Sequence, residues 1–168
     1  MFIISMIIIA VLAAADQIIK LAVVDNVALG EVINIIRFGD TKIFSLTHIT
    51  NTGAAWSMME GKTWFLIGLP IVVCIAALIY MYKIRKNSKL EMVSLALIIA
   101  GGIGNLIDRI RLHEVVDYIQ CDFINFPIFN LADICVVIGG ILFFIAFFLE
   151  EKKSSEIKKN KEKAKADE

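Results

Sequence analysis

Four long apolar runs divide the 168-residue chain, at about 2–24, 64–83, 90–110 and 131–149. Each run has about 20 mostly apolar residues, which is the length that an α-helix needs to cross the hydrocarbon core of a bilayer. A soluble domain is about 45–50% apolar, whereas this chain is 58% hydrophobic. The pattern therefore predicts a membrane all-α bundle of four transmembrane helices.

The segment 25–63 has a different pattern. Ile33 to Phe38 and Ile43 to Thr50 are strand-like, and Gly39-Asp40 between them is typical of a hairpin turn. We expect a small extracytoplasmic β-sheet here. After Asn51, residues 54–59 have the pattern of an amphipathic interfacial segment. Aromatic residues that suit an outer interfacial belt are Trp56, Trp64 and Tyr118.

Basic residues indicate which side of the membrane each loop occupies. They cluster between the second and third runs and again after the fourth run: Lys83, Arg85, Lys86 and Lys89, then Lys152, Lys153, Lys158, Lys159, Lys161, Lys163 and Lys165. The positive-inside rule makes both regions cytoplasmic, so four spans place both termini there. We expect residues 1–150 to form the membrane domain, and 151–168 to form a solvated lysine-rich cytoplasmic tail.

Several kinds of site are disfavoured. The three cysteines, Cys74, Cys121 and Cys135, lack the paired spacing of a disulfide framework or a zinc site. The two histidines, His48 and His113, are far apart in the sequence. The glycine-rich run 101–104 follows no strand and precedes no Lys-Ser/Thr pair, which argues against a nucleotide site. We expect no cofactor, no metal and no nucleic-acid partner.

Charged and amide side chains occur near the predicted outer ends of the runs. Asp16 and Lys20 are four residues apart on one helix face, which favours a structural ion pair. Asn105 and Arg109 share a face of the third run, with Asp108 beside them. Such groups are costly in a membrane and usually functional. The alternative is glycine-mediated helix packing with an Asp108–Arg109 charge pair.

Two carboxylates, Asp117 and Asp133, flank the short connector between the last two runs. Two neighbouring carboxylates push their pKa values apart, so one can act as a general base while the other acts as a general acid. We predict a catalytic pair. A structural role for Asp133 is an alternative, because Asn130 with an acidic residue three positions later resembles a helix capping box.

Five motifs together resemble the lipoprotein signal peptidases (signal peptidase II). They are Asp16-Gln17 with Lys20, Asn51-Thr52-Gly53-Ala54-Ala55, Gly101-Gly102-Ile103-Gly104-Asn105 through Asp108-Arg109, Val115-Val116-Asp117 and Phe129-Asn130-Leu131-Ala132-Asp133. Each is weak alone, but the ordered set on a four-span frame is specific. The resemblance implies an aspartic endopeptidase of the bacterial inner membrane. Such enzymes cut prolipoproteins just before a diacylglyceryl-modified cysteine and are blocked by the cyclic peptide globomycin.

The resemblance also implies roles for individual residues. Asp117 and Asp133 would form the dyad, near the outer face of the membrane. The supporting residues would be Asp16, Lys20, Asn51, Gly53, Gly101, Asn105, Arg109, Asn130 and Ala132. The asparagines and Arg109 would position the substrate backbone or stabilise the dyad's surroundings. The outer sheet would cradle the lipoprotein, and the segment after Asn51 would act as a lid. We expect a monomer surrounded by membrane lipid.

Three other classes of protein are consistent with parts of the pattern. A small transporter would use the carboxylates as relay groups, although transporter sites tend to lie near the bilayer midplane and often within internal repeats. An assembly subunit would need only the packing glycines and the capping asparagines. A metal-dependent hydrolase would use the same carboxylates around a divalent cation.

Overall fold

The computed structural model describes residues 1–53, 63–85 and 89–166, with the side chains of 1–53, 64–85 and 89–152. The described backbone forms four helices and three strands. In chain order they are α1 Phe2–Asn26, β1 Val32–Phe38, β2 Thr41–Asn51, α2 Thr63–Lys83, α3 Lys89–Leu112, β3 Val115–Cys121 and α4 Leu131–Ala166. Each helix contains a stretch long and apolar enough to cross a membrane. The predicted four-span bundle with a small sheet is confirmed.

Helix α3 is the centre of the bundle. Half of its apolar stretch (50%) is buried inside the protein, against 22% in each of the other helices. It packs against α1, α2 and α4, and its Met92 and Ile99 contact Ile9 and Met81 in a shared core. Many other apolar side chains of the bundle point outward, which is stable only where lipid replaces water.

Glycines bring the backbones of α3 and α4 together. A side chain at Gly101 would collide with the carbonyl oxygen of Ala132 and would lie 2.8 Å from Val136. On α4, a side chain at Gly139 would lie 2.8 Å from the carbonyl oxygen of Ser94. Small residues allow this close approach between membrane helices, where helix association depends on van der Waals packing.

The three strands form one antiparallel sheet in the order β1-β2-β3. The first two strands and the turn at Gly39, where φ is 59°, agree with the prediction. Strand β3 was not predicted, because its first four residues, Val115 to Tyr118, are all buried and give no polar–apolar alternation. The predicted interfacial segment 54–59, which includes Trp56, lies outside the described residues.

The sheet is attached to the C-terminal ends of α1 and α3. Helix α3 ends only a few residues before β3, and His113 between them has a φ of 63°. Val116 and Tyr118 of β3 pack against Val23 and Val27 at the end of α1. Asp117 lies between these two anchored residues, so its backbone is fixed to the bundle.

We predict that Gly101→Ala destabilises the protein by about 1–3 kcal/mol, because the added methyl group forces α3 and α4 apart. The measurement is thermal unfolding in detergent. Gly140→Ala is the matched control, since nothing lies within 4 Å of its added methyl group. That change should be neutral or stabilise the helix by up to about 1 kcal/mol. Equal melting temperatures for the two variants would contradict the close packing.

Candidate active site

A cavity of about 780 Å³ opens between α2, α3, α4 and the segment that follows β3. Its polar end is lined by Asn51, Asn105, Arg109, Asp117 and Asp133. Its apolar end includes Leu69, Pro70, Val73, Val136 and Val137. The cavity therefore has hydrogen-bonding groups next to an apolar groove.

Asp117 projects from β3 into the polar end and is 2% exposed. The side-chain amide of Asn130 donates to Oδ1 of Asp117 at 2.6 Å, and the amide of Asn51 donates to Oδ2 at 3.2 Å. Burial raises the pKa of Asp117 to about 6, and the negative charge of Asp133 contributes to the rise. The two amide hydrogen bonds act in the opposite direction, since they favour the ionised form.

Asp133 lies in the first turn of α4. The backbone N–H of Asn130 donates to Oδ2 of Asp133 at 3.2 Å, and the backbone N–H of Asp133 donates to Oδ1 of Asn130 at 2.9 Å. This exchange is the capping box that the sequence indicated. It does not exclude a chemical role, because Asp133 also lines the cavity and its Oδ1 accepts a 2.7 Å bond from the amide of Asn105.

Two amides connect the carboxylates. Asn130 donates from its side chain to Asp117 and from its backbone to Asp133. Its side chain also lies 3.0 Å from Oδ1 of Asn105, whose own NH₂ group contacts Asp133. Both carboxylates therefore belong to one hydrogen-bond network that faces the cavity.

The ammonium group of Lys20 supports this network from α1. It lies 2.9 Å from Asp16, 2.8 Å from Asp108 and 2.9 Å from the side-chain oxygen of Asn105. The predicted Asp16–Lys20 ion pair is confirmed, and both residues are at most 2% exposed. The alternative pairing of Asp108 with Arg109 is not the ion pair that forms, because Asp108 bonds to Lys20.

Arg109 instead contacts the turn that follows β2. Its guanidinium donates to the carbonyl oxygen of Gly53 at 3.0 Å. The backbone N–H of Gly53 donates to the side-chain oxygen of Asn51 at 2.9 Å, which leaves the NH₂ group of Asn51 free to face Asp117. The turn 51–53 is thereby held against the polar end of the cavity. The predicted lid lies outside the described residues.

The chain is similar to proteins of known family. The model of a family described as signal peptidase (SPase) II matches residues 8–149. The chain belongs to the signal peptidase II family. The lipoprotein signal peptidase of Enterococcus faecalis is 44% identical over 147 residues, which cover 88% of this chain and 89% of the relative. That of Lactococcus lactis subsp. lactis is 44% identical over 148 residues, which cover 88% of this chain and 95% of the relative.

Solved structures share the fold of this signal peptidase II family member. A bacterial membrane enzyme superposes with a TM-score of 0.79 at 31% identity, covering 89% of this chain and 90% of the other. A second bacterial membrane enzyme gives a TM-score of 0.74 at 32% identity, covering 85% and 91%. The similarity therefore extends over most of the chain.

The structure brings the sequence-predicted residues of this family member together. Gly101 and Ala132 form the close contact between α3 and α4, and the backbone N–H of Ala132 donates to Asp16 at 3.0 Å. Two contributors were not predicted as site residues. Gln17 donates to Asp108 at 3.0 Å, and Tyr118 accepts a hydrogen bond at 3.1 Å from the backbone of Leu131. Gln17 belongs to the Asp16-Gln17 motif, but no role was assigned to it.

The interfacial position predicted for Tyr118 is wrong. Its side chain is 4% exposed and packs in the cluster at the end of α1, because the strand that carries it is buried on both faces. Within the described part of the chain, no three His, Cys, Asp or Glu side chains are grouped so that they could hold a metal ion.

We predict that Lys20→Met destabilises this signal peptidase II family member by about 3–5 kcal/mol. The change leaves Asp16 and Asp108 buried side by side without their shared cation. Thermal unfolding in detergent measures the loss. Lys42→Met, which removes the same charge from an exposed position on β2, is the control and should change the melting temperature little. A Lys20→Met protein as stable as that control would show that the ammonium group is dispensable.

Proposed function

We propose that this chain is an aspartic endopeptidase that removes the signal peptide from diacylglyceryl-modified prolipoproteins, cutting before the lipidated cysteine. The observation that carries the proposal is that Asp117 and Asp133 line one cavity and are joined through Asn130 and Asn105. Membership of the signal peptidase II family supports the substrate class.

The environments of the two carboxylates suggest which one holds the shared proton. Asp117 is the more deeply buried, and its pKa of about 6 favours the protonated form at mildly acidic pH. Asp133 is only partly buried and lies in the first turn of α4, where the helix dipole favours a negative charge. We therefore assign Asp117 as the acid and Asp133 as the base.

Hydrolysis then proceeds by proton transfer between these groups. Asp133 takes a proton from a water molecule as the water oxygen bonds to the scissile carbonyl carbon, and Asp117 gives its proton to the carbonyl oxygen. The carbon–nitrogen bond of the resulting gem-diol breaks when Asp133 protonates the nitrogen and Asp117 takes back a hydroxyl proton. The pair ends with one proton, as it began.

The rest of the cavity suits a lipid-anchored peptide. Arg109 and Asn51 lie beside the dyad with donors that can hold peptide carbonyl groups. The groove that contains Val73 and Val137 is apolar and lies between membrane-spanning helices, so acyl chains can reach it without crossing water. The basic loops favour a topology with both termini in the cytoplasm, and the proposed dyad then lies near the outer face of the bacterial inner membrane. The proposed enzyme acts as a monomer.

We predict that Asp117→Asn and Asp133→Asn each abolish most of the activity, because asparagine keeps the shape of the side chain but cannot exchange the required proton. The two residues act as one unit, so the double variant should be scarcely worse than either single variant. Turnover of a purified lipidated precursor measures this. Asp40→Asn, on the exposed turn between β1 and β2, is the matched control and should retain activity.

The pH profile and a chelator provide further checks on the same prediction. The pair loses its single proton as pH rises through the raised pKa of about 6, so kcat/KM should fall on the alkaline side of about pH 6. The apparent pKa of this fall belongs to the two carboxylates together. Bound substrate excludes water and moves the limb of kcat to higher pH. Activity should survive a chelator. If the Asp133→Asn variant is active and the Asp117→Asn variant is inactive, Asp133 serves only as a helix cap.

We predict cleavage of the diacylglyceryl-modified precursor and little cleavage of the same precursor without its lipid. The reason is that the groove next to the dyad is apolar and open between membrane helices. Gel-shift assays with both precursors measure the difference, and globomycin should inhibit the reaction. Equal turnover of the two precursors would contradict the proposed substrate, even if the dyad variants were inactive.

A further inference from the structure

Tyr118 holds the chain on both sides of Asn130. Its backbone N–H donates to the carbonyl oxygen of Phe129 at 3.1 Å, and its hydroxyl oxygen accepts from the backbone N–H of Leu131 at 3.1 Å. Phe129 and Leu131 are the two neighbours of Asn130. Asn130, which contacts both carboxylates, therefore lies between two residues that are each hydrogen-bonded to Tyr118.

The side chain of Tyr118 is well suited to this task. Successive residues of a strand point to opposite faces, so Asp117 faces the cavity while Tyr118 faces the end of α1. Its ring is wedged against Val23 and Val27, which fixes the direction of the hydroxyl. Burial raises the pKa of Tyr118 to about 12, so the phenol stays neutral at any working pH.

The hydroxyl also completes the cap of α4. The first three backbone N–H groups of the helix each have a side-chain acceptor: Leu131 donates to Tyr118, Ala132 to Asp16, and Asp133 to Asn130. A helix start needs such partners because its first N–H groups have none within the helix. Of the three acceptors, only Tyr118 lies on the strand that carries Asp117.

We propose that Tyr118 is a positioning residue that sets the geometry of the dyad: its hydroxyl ties the start of α4 to β3 and so holds the Asn130 amide on Asp117. The inference rests on the proposed role of the dyad. Without the bond to Leu131, the first turn of α4 loosens, and Asn130 and Asp133 shift relative to Asp117.

The first test is Tyr118→Phe, which removes the hydroxyl and keeps the ring. Loss of one cap should lower kcat about 3- to 30-fold with little change in KM. The Asn130 bond favours ionised Asp117, so its loosening should move the alkaline limb of the pH profile to higher pH. The charged groups that act on Asp117 from α1, α3 and α4 are Lys20, Arg109 and Asp133. They are unchanged in this variant.

Tyr80→Phe is the matched control for the loss of a hydroxyl. Tyr80 lies on α2, and its ring packs against Phe143, a contact that phenylalanine retains. This control should keep the kcat and the pH profile of the wild type. If Tyr118→Phe behaves in the same way as Tyr80→Phe, the proposal is overturned.

A second variant removes the same hydrogen bond from the other side. Leu131 is the first residue of α4, where proline is well tolerated because the N–H it lacks has no partner inside the helix. Leu131→Pro deletes the donor and puts the proline Cδ in the place of the amide hydrogen, so the hydroxyl of Tyr118 is also displaced. Leu131→Ala deletes the side chain but keeps the donor. We expect Leu131→Pro to reproduce the fall in kcat and the pH shift, and Leu131→Ala not to reproduce the shift.

The double variant Tyr118→Phe/Leu131→Pro decides whether the two groups act through one bond. If they do, the double variant should be about as active as the worse single variant, and multiplied effects would overturn the proposal. If Tyr118→Phe folds poorly, the comparison of Leu131→Pro with Leu131→Ala still tests the hydrogen bond. If Asp117→Asn is inactive while Tyr118→Phe and Leu131→Pro behave like the wild type, only the role of Tyr118 is rejected. Active Asp117→Asn would reject the proposed function itself.

Discussion

A single buried ammonium group fixes much of the half of the bundle that lies next to the sheet. Lys20 has three N–H donors, and three acceptors surround it: Asp16 on its own helix, and Asp108 and Asn105 on α3. A cation between membrane helices is stable only when it is fully paired. Because an ammonium group cannot accept a hydrogen bond, it also forces Asn105 to present its oxygen to α1. The NH₂ group of Asn105 must then face α4, where it meets Asp133.

The orientation of one amide is passed to the next. The oxygen of Asn105 accepts from the amide of Asn130 as well as from Lys20, and the amide of Asn130 reaches Asp117. Order in the network therefore runs from a cation on α1, through two amides, to a carboxylate on β3. This order costs little at the time of reaction, since the groups are held before the substrate arrives.

The sequence predicted the parts of this protein that have a strong local signal. The four apolar runs gave the spanning helices, the alternation before and after Gly39 gave the hairpin, and the spacing of Asp16 and Lys20 gave their ion pair. Strand β3 had no such signal, because its first four residues are buried on both faces and do not alternate between polar and apolar. Tyr118 was misplaced for the same reason, since an aromatic residue near a span boundary suits either an interfacial belt or a buried strand.

The residues brought together by the site could be named from the sequence, but their partners could not. Asp108 was expected beside Arg109, its neighbour in the chain, yet it bonds to a lysine 88 positions away. Such choices depend on how α1 and α3 cross. That crossing is set by close contacts such as Gly104 against Asp16, which have no counterpart in a local pattern.

The two ends of the cavity differ in how easily their residues can be substituted during evolution. At the polar end, Asn105 and Asn130 each bond to at least two other groups, so replacing one of them disturbs the network as well as the wall. At the apolar end, Leu69, Val73 and Val137 contribute shape alone and can be exchanged for other apolar residues at small cost. An inhibitor that depends on the groove therefore invites resistance, whereas one that depends on the amides meets a surface with little room to evolve.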